Sequence, residues 1–416
     1  MVSLAEEDGN LKNNILLILL SAVPLAALVG NAAADIALIL VTVAFIVFSK
    51  SEWKHFIQSR FLWLATIFWI WIVLCSSLSL FPTHSYQDSV PYIRFPLYAF
   101  ALSQILSRGE GKYLRYFMLA AVAGTLIEFS FMIREYLFMR QGDRLYGTFG
   151  KLIPGWYLNS FGSLIVLLSF EKFRLGNLST GAKSIIIILT ILIIYALIIS
   201  GNIMSLLTFI GTIILYFSAR KYKDKKSIFI LLMMIALIIF MISWLSIIDP
   251  PLYLRITDSI IKRMPWMVSS DYHEPWKAGI NIAFENPIFG IGPKNFNLYC
   301  MKLQQDANIE SLLNITQCPW HSHNLYISIA AESGIIGLIL FLLIVVYILL
   351  LAFKASRATN WENNTSFLLS FILFFPLQTY SQAFGQSLNF YFWTVLGYIL
   401  FMIRDGMRKQ VSDVSL

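Results

Sequence analysis

The chain has 416 residues, of which 58% are apolar and 13% are charged, and its mean hydropathy is +0.70. A soluble fold of this composition would have to bury nearly every side chain, so the composition indicates an integral membrane protein. The formal net charge is +8, but the basic residues are scattered over short polar segments, which argues against a nucleic-acid partner.

Apolar runs follow one another along the chain and predict spanning helices, because a helix needs about 20 apolar residues to cross a bilayer and satisfies its own backbone groups there. Twelve such runs lie at 13–30, 33–48, 61–80, 92–107, 115–133, 154–170, 184–200, 203–219, 227–247, 324–353, 365–382 and 389–403. We therefore expect an all-α integral membrane protein of about 12 transmembrane helices.

The positions of Lys and Arg predict the orientation of these helices. With both termini in the cytoplasm, the inside segments hold most of the 31 basic residues. Five cations in short outside segments run against this trend: Arg94, Arg134, Arg140, Arg144 and Lys151. They need another explanation than topology, and for Arg134 and Arg140 that explanation is a local pair with a neighbouring acid.

One connection, residues 248–323, is far longer than the others, and a loop of this length is usually functional. Helical periodicity over 276–284 predicts a helix, and 301–313 is a candidate for a second. Gly290 and Gly292 between them predict a tight bend of the backbone. We expect this loop to form a small helical cap on the outer face.

The long loop divides the chain into three parts. We expect residues 1–247 to form the first nine transmembrane helices and residues 248–323 to form the cap. Residues 324–416 then form the last three helices and a cytoplasmic tail.

The chain contains three cysteines. Cys75 falls inside the third apolar run, where a cysteine is usually a small buried apolar group. Cys300 and Cys318 both lie in the long outer loop. If that loop faces an oxidising compartment, we expect these two to form a disulfide.

Two histidines lie directly before the tenth apolar run. The imidazole of His323 can take a proton from an attacking hydroxyl, so it is the candidate catalytic base. Asn324 either orients that imidazole or caps the helix, and His321 supports the same pocket. Zinc would need further ligands at useful spacing, so we expect no metal. Gly334 and Gly337 lie three apart on one helix face, which is typical of close helix packing.

The outward cations are candidates for binding phosphate, because a guanidinium group grips phosphate oxygens in a bidentate geometry. Arg144 is followed by Gly147 and Gly150, which would let a ligand approach the backbone. The alternative for Arg144 is a contact with lipid headgroups. Arg94 stands near the start of the fourth run, where a charge must be paired or face a cavity. Lys151 is a further candidate.

Three segments resemble those of a known family. The His-Asn pair at 323–324, followed after nine residues by Gly-x-x-Gly at 334–337, resembles the signature of the O-antigen ligases. These bacterial membrane glycosyltransferases move a polysaccharide from undecaprenyl diphosphate onto lipid A-core. Arg144-x-x-Gly-Thr-Phe resembles a recurring segment of the ligase and polymerase superfamily. Trp276, followed by Pro-x-x-Gly-x-Gly-x-x-Asn-Phe at 287–296, resembles another.

The resemblance implies a GT-C-like membrane fold and a metal-independent, inverting glycosyltransferase of lipopolysaccharide biosynthesis in the bacterial inner membrane, acting at the periplasmic face. It implies His323 as the base and an undecaprenyl-diphosphate-linked glycan, a lipid A-core acceptor and the bilayer as partners. No cofactor is expected, because the diphosphate is itself the leaving group and no nucleotide-binding Gly-rich loop is visible. The residues expected to bind the diphosphate or the glycan are Arg144, Arg94, His321, Asn324 and Lys151.

The chain departs from the family pattern at two positions. The family usually has Ser-Arg where this chain reads Ser-Gly-Asn, ending at Asn202, and it often has Arg where this chain has Tyr272. Those arginines are thought to hold the diphosphate. Arg255, Arg263 and Lys277 are the candidates to replace them.

Two other functions compete with the ligase. An O-antigen polymerase shares the donor but uses a second lipid-linked repeat as the acceptor. A secondary transporter fits twelve helices with both ends inside, although the sequence contains no convincing internal repeat.

Overall fold

The computed structural model describes residues 2–49, 57–139, 145–148, 153–174, 179–218, 225–262, 272–305, 318–358, 365–374 and 382–414. Within these residues every regular element is helical and no strand occurs, which confirms the all-α prediction. The α-helices are α1 (Val2–Val29), α2 (Asn31–Phe48), α3 (Arg60–Ser77), α4 (Pro82–Ser89), α5 (Arg94–Leu106), α6 (Lys112–Arg134), α7 (Ile153–Tyr157), α8 (Ser163–Arg174), α9 (Thr180–Ile199), α10 (Ile203–Ser218), α11 (Lys225–Ile248), α12 (Pro250–Lys262), α13 (His273–Glu285), α14 (Phe296–Gln305), α15 (Leu325–Ala358), α16 (Thr365–Leu373) and α17 (Gln386–Val414).

Seven of the described helices are long and apolar enough to cross a membrane. They are Asn10–Val29, Asn31–Phe48, Arg60–Ser77, Lys112–Met139, Thr180–Ile199, Phe229–Ile248 and Leu325–Arg357. Each coincides with one of the twelve predicted spans. Four of the other five predicted spans overlap shorter or interrupted helices, such as the apolar helix Ile203–Phe217. The fifth, 389–403, lies inside the long helix α17. The multi-pass membrane architecture is therefore established, and the count of twelve stays a prediction.

Helix α5 is the centre of the bundle. Its buried residues run almost without a gap from Phe95 to Leu106, as expected of a helix that is apolar all round. Tyr98 stacks on Phe390 of α17 with ring centroids 6.4 Å apart, and its hydroxyl lies 3.2 Å from that of Thr394. This central contact holds α17 against the first half of the chain.

The hairpins α9–α10 and α10–α11 decide which loops share a face. Two consecutive reversals put the turn at 200–202 and the chain after α11 on one side of the bundle. The described residues between 249 and 324 therefore lie on the same side as that turn, and we call this side the outer face. The described part of the predicted cap contains α12, α13 and α14, while its boundaries stay a prediction.

The two helices predicted in the cap have different outcomes. Helix α13, His273–Glu285, contains the predicted helix at 276–284 and starts three residues earlier. Helix α14 starts at Phe296 instead of 301 and ends at Gln305, and residues 306–317 lie outside the described ones.

Helix α15 is broken at Gly334, whose φ of 69° and ψ of −177° are not helical. The cap loop fills the break: Ile335 donates its N–H to Pro287 O at 2.8 Å, and Ile291 donates its N–H to Ala331 O at 3.0 Å. A Cβ at position 334 would overlap the Ile288 carbonyl. The expectation that Gly334 mediates helix packing is therefore wrong, because its close neighbour is loop backbone.

The same loop also contacts α3. Phe289 stacks on Trp71 with ring centroids 5.4 Å apart, and the indole of Trp71 donates to Ser333 O at 2.8 Å. Gly337 does pack between helices, since a Cβ there would meet its neighbour Ser333 and, at 3.3 Å, Trp71. Cys75, predicted to be buried, is a buried free cysteine. The cap loop is thus fastened to two membrane helices directly below the outer face.

Candidate functional site

The predicted base, His323, lies at the outer end of α15 inside a cluster of three rings. Its ring centroid is 4.0 Å from that of His321 and 5.2 Å from that of Tyr272, which meets it edge-on. Tyr272 stands directly before α13. The cluster therefore joins the cap to the start of a membrane helix, and Tyr272 contributes to it in place of the family arginine.

The backbone of His323 is left-handed, with φ 53°. Histidine is among the residues that tolerate this conformation best, although it is still uncommon. Asn324 follows as the helix cap, because its side-chain oxygen accepts from Tyr326 N at 3.0 Å and from Ile327 N at 3.1 Å. Ser322 closes the turn by donating to Asn324 O at 3.0 Å. Of the two roles considered for Asn324, the structure supports the cap.

His321 is largely buried, and its surroundings disfavour the charged imidazole. Burial lowers the pKa of His321 to about 3, and electrostatic interactions with His323 and Lys294 add to this effect. His321 is therefore neutral at physiological pH. Among the described residues no group of three or more His, Cys, Asp or Glu is arranged to hold a metal ion.

Arg94, the first residue of α5, is held in an ion pair. Its guanidinium lies 3.1 Å from the carboxylate of Asp35 in α2, and it also donates to Pro91 O at 2.8 Å. The side chains of Arg94 and Asp35 are only 14% and 20% exposed. The pairing explains how α5 tolerates a charge, and the expected role of Arg94 in binding diphosphate stays a prediction.

Arg144, Gly150 and Lys151 lie outside the described residues, but the segment 145–148 between them is described. Two carboxylates hold its backbone. Glu135 accepts from Gly147 N at 2.8 Å, and Glu128 accepts from the Thr148 hydroxyl at 2.6 Å. A Cβ at Gly147 would collide with Glu128. The glycine therefore makes room for a carboxylate, and the interpretation of Gly147 as a place of ligand approach is wrong.

The turn that lacks the family arginine receives an arginine from elsewhere. Arg255 of α12 donates its Nε–H to Gly201 O at 3.2 Å. Asn202 accepts from Ser205 N at 3.3 Å and so caps α10. Of the three candidate replacements, Arg255 is the one found at this turn. Lys277 lies on α13, and Arg263 is outside the described residues.

Cys300 and Cys318 are joined by a disulfide, with their Cα atoms 5.6 Å apart. Cys300 is fully buried in a small second core with Ala278, Ile282 and Phe296. The disulfide links α14 to the segment of the chain that leads into the histidine pair.

Polar residues that the sequence interpretation left out meet beside the histidines. His84 of α4 lies 3.0 Å from the side-chain oxygen of Asn295, and Lys294 N donates to the carboxylate of Glu332 at 3.0 Å. Glu332 had a signal in the sequence, because it is an acid inside an apolar run. His84 had none, since its partner is 211 residues away.

Residues 188–342 match the model of a protein family described as O-antigen ligase. The matched stretch runs from α9 into α15, so it includes the turn at 200–202, the cap and the histidine pair. A search of curated proteins finds no matching relative. The family match supports the place of this chain in the O-antigen ligase and polymerase superfamily.

Proposed function

We propose that the chain is an O-antigen ligase, which moves a polysaccharide from undecaprenyl diphosphate to a hydroxyl of lipid A-core. The reaction is inverting and metal-independent, and it takes place at the periplasmic face of the bacterial inner membrane. The observation that carries the proposal is the ring contact between His323 and a neutral His321 at the outer end of α15. The family match supports the reaction class.

In the proposed step, His323 takes the proton of the acceptor hydroxyl while that oxygen attacks the anomeric carbon of the donor. A new carbon–oxygen bond forms as the bond from that carbon to the diphosphate oxygen breaks, and the diphosphate leaves with the electron pair. The neutral state of His321 favours this step, because the proton taken up by His323 then faces no second imidazolium.

Cations on the outer face would stabilise the charge that develops on the leaving diphosphate. Arg144 and Lys151 stand just before α7 in the sequence, and Arg255 lies at the turn between α9 and α10. The ion pair of Arg94 with Asp35 already engages its charge. We therefore rank Arg144 and Arg255 ahead of Arg94 as ligands of the diphosphate.

The test replaces His323 by Asn and by Ala in the full chain, purified in detergent. Asn suits the left-handed backbone at this position, so it removes the base and keeps the turn. We expect both variants to lose transfer by at least about 100-fold while their thermal unfolding stays close to wild type. His273→Asn, one residue into the neighbouring α13, is the matched control and should remain active. Near-wild-type transfer by a folded His323→Asn protein would refute the assignment of His323 as the catalytic base.

The choice of substrates separates ligase from polymerase. With lipid-linked glycan as donor and lipid A-core as acceptor, a ligase yields one product per acceptor. Lengthened glycan formed from the donor alone would identify a polymerase instead. The assay contains no ion gradient, so transfer in detergent also excludes a transporter as the explanation.

A further inference from the structure

Lys294 belongs to a short segment that is clamped from both sides. Pro293 O accepts from the hydroxyl of Ser85 in α4 at 2.8 Å. Lys294 N donates to Glu332 of α15 at 3.0 Å, and the amide side chain of Asn295 lies against His84. Helix α4 and helix α15 therefore fix the backbone of this segment beside the histidine pair.

The clamps hold Lys294 in an unfavourable backbone conformation. Its φ is 67°, and among the described residues only His323 shares a positive φ without being glycine. Lysine has no preference for this region, unlike glycine or asparagine, so the conformation persists because the neighbours impose it. Such strain is frequent where a side chain is directed to a ligand.

The ammonium of Lys294 makes no hydrogen bond or ion pair with any residue in the described part of the chain. Its charge nevertheless reaches the surrounding groups. It contributes to the lowered pKa of His321, and it is the largest influence opposing the rise that burial causes in the pKa of Asp88. The charge of Lys294 therefore acts both on α4, through Asp88, and on the histidine pair, through His321.

We propose that Lys294 binds a phosphate oxygen of the lipid diphosphate donor. The inference rests on the proposed function, since it assigns a residue of that same site. A lysine binds phosphate as a point charge, and here that charge stands on a fixed backbone and acts on His321, the ring neighbour of the predicted base. Phosphate on the acceptor would offer the same chemistry, so the experiment must vary the two substrates separately.

The variants are Lys294→Asn, which keeps the left-handed turn and removes the charge, and Lys294→Arg, which keeps the charge. Lys302→Asn is the matched control, because Lys302 is an exposed lysine on α14 of the same cap. Binding of undecaprenyl diphosphate to the full chain in detergent is measured first, by its effect on thermal unfolding. KM and kcat are then measured with donor and acceptor varied in turn.

We expect Lys294→Asn to weaken binding of the lipid diphosphate and to raise the KM for the donor by roughly tenfold or more. Lys294→Arg should retain most of the binding, and Lys302→Asn should match wild type. An equal donor KM in Lys294→Asn and the control overturns the inference while leaving the proposed function intact. A rise confined to the KM of the acceptor overturns it too. Absence of any binding by wild type would instead refute the proposed function.

Discussion

Gly334→Ala tests whether the break in α15 depends on glycine. The backbone at this residue has φ 69° and ψ −177°, a region that is essentially restricted to glycine. An alanine Cβ would overlap the Ile288 carbonyl and lie 2.8 Å from Phe289 N, against about 3.4 Å for ordinary contact. Strain of about 1–3 kcal/mol and overpacking of about 1–3 kcal/mol together predict a loss of about 2–6 kcal/mol.

The measurement is the free energy of unfolding of the full chain in detergent. Gly211→Ala is the control, because a Cβ at this position in α10 meets nothing within 4 Å. That variant should be unchanged or more stable by up to about 1 kcal/mol, since alanine favours helix. Limited proteolysis should also show the cap of Gly334→Ala released from α15. A Gly334→Ala protein as stable as Gly211→Ala, with a protected cap, would refute the reasoning.

Three further predictions concern other contacts. Replacing Cys300 and Cys318 by Ser should destabilise the cap by about 3 kcal/mol, because the disulfide closes a loop of 18 residues; free thiols in wild-type peptides mapped without reduction would contradict this. Asp35→Ala should lower the free energy of unfolding by about 3–5 kcal/mol, because it leaves a largely buried guanidinium without its carboxylate partner. Adding Arg94→Ala should restore part of this loss, and a double variant no more stable than Asp35→Ala would argue against the ion pair. In the folded protein His321 stays neutral down to about pH 3, whereas in the unfolded chain it is protonated below about pH 6.5. The free energy of unfolding should therefore decrease as the pH is lowered from about 6.5 to about 3, and it should decrease less in His321→Asn.

The membrane helices were predictable because their signal is local. Each apolar run reports its own environment, and the seven long helices fall where the runs do. The position of α5 was not predictable in this way. A run that is apolar all round looks the same whether lipid or other helices surround it, and only the packed structure reveals that α5 is the centre.

The site was predictable only in part, because its contacts join distant residues. The motif identified His323, but its contact with Tyr272 spans a long loop and depends on how α13 docks. The pair of Arg94 and Asp35 had a usable signal: opposite charges in two apolar runs indicate an intramembrane partner. The sequence signal for the break at Gly334 was weaker, since a glycine in an apolar run is equally typical of helix packing.

The break in the helical hydrogen bonds of α15 at Gly334 has a consequence for how the protein is made. A peptide group in lipid must find a hydrogen-bond partner, and at the break those partners are Pro287 and Ile291 of the cap loop. The loop precedes the helix in the chain, so a ribosome synthesises the missing partners first. Stable insertion of α15 therefore depends on a folded cap, and a cap that misfolds would leave this helix with unsatisfied backbone groups at the break.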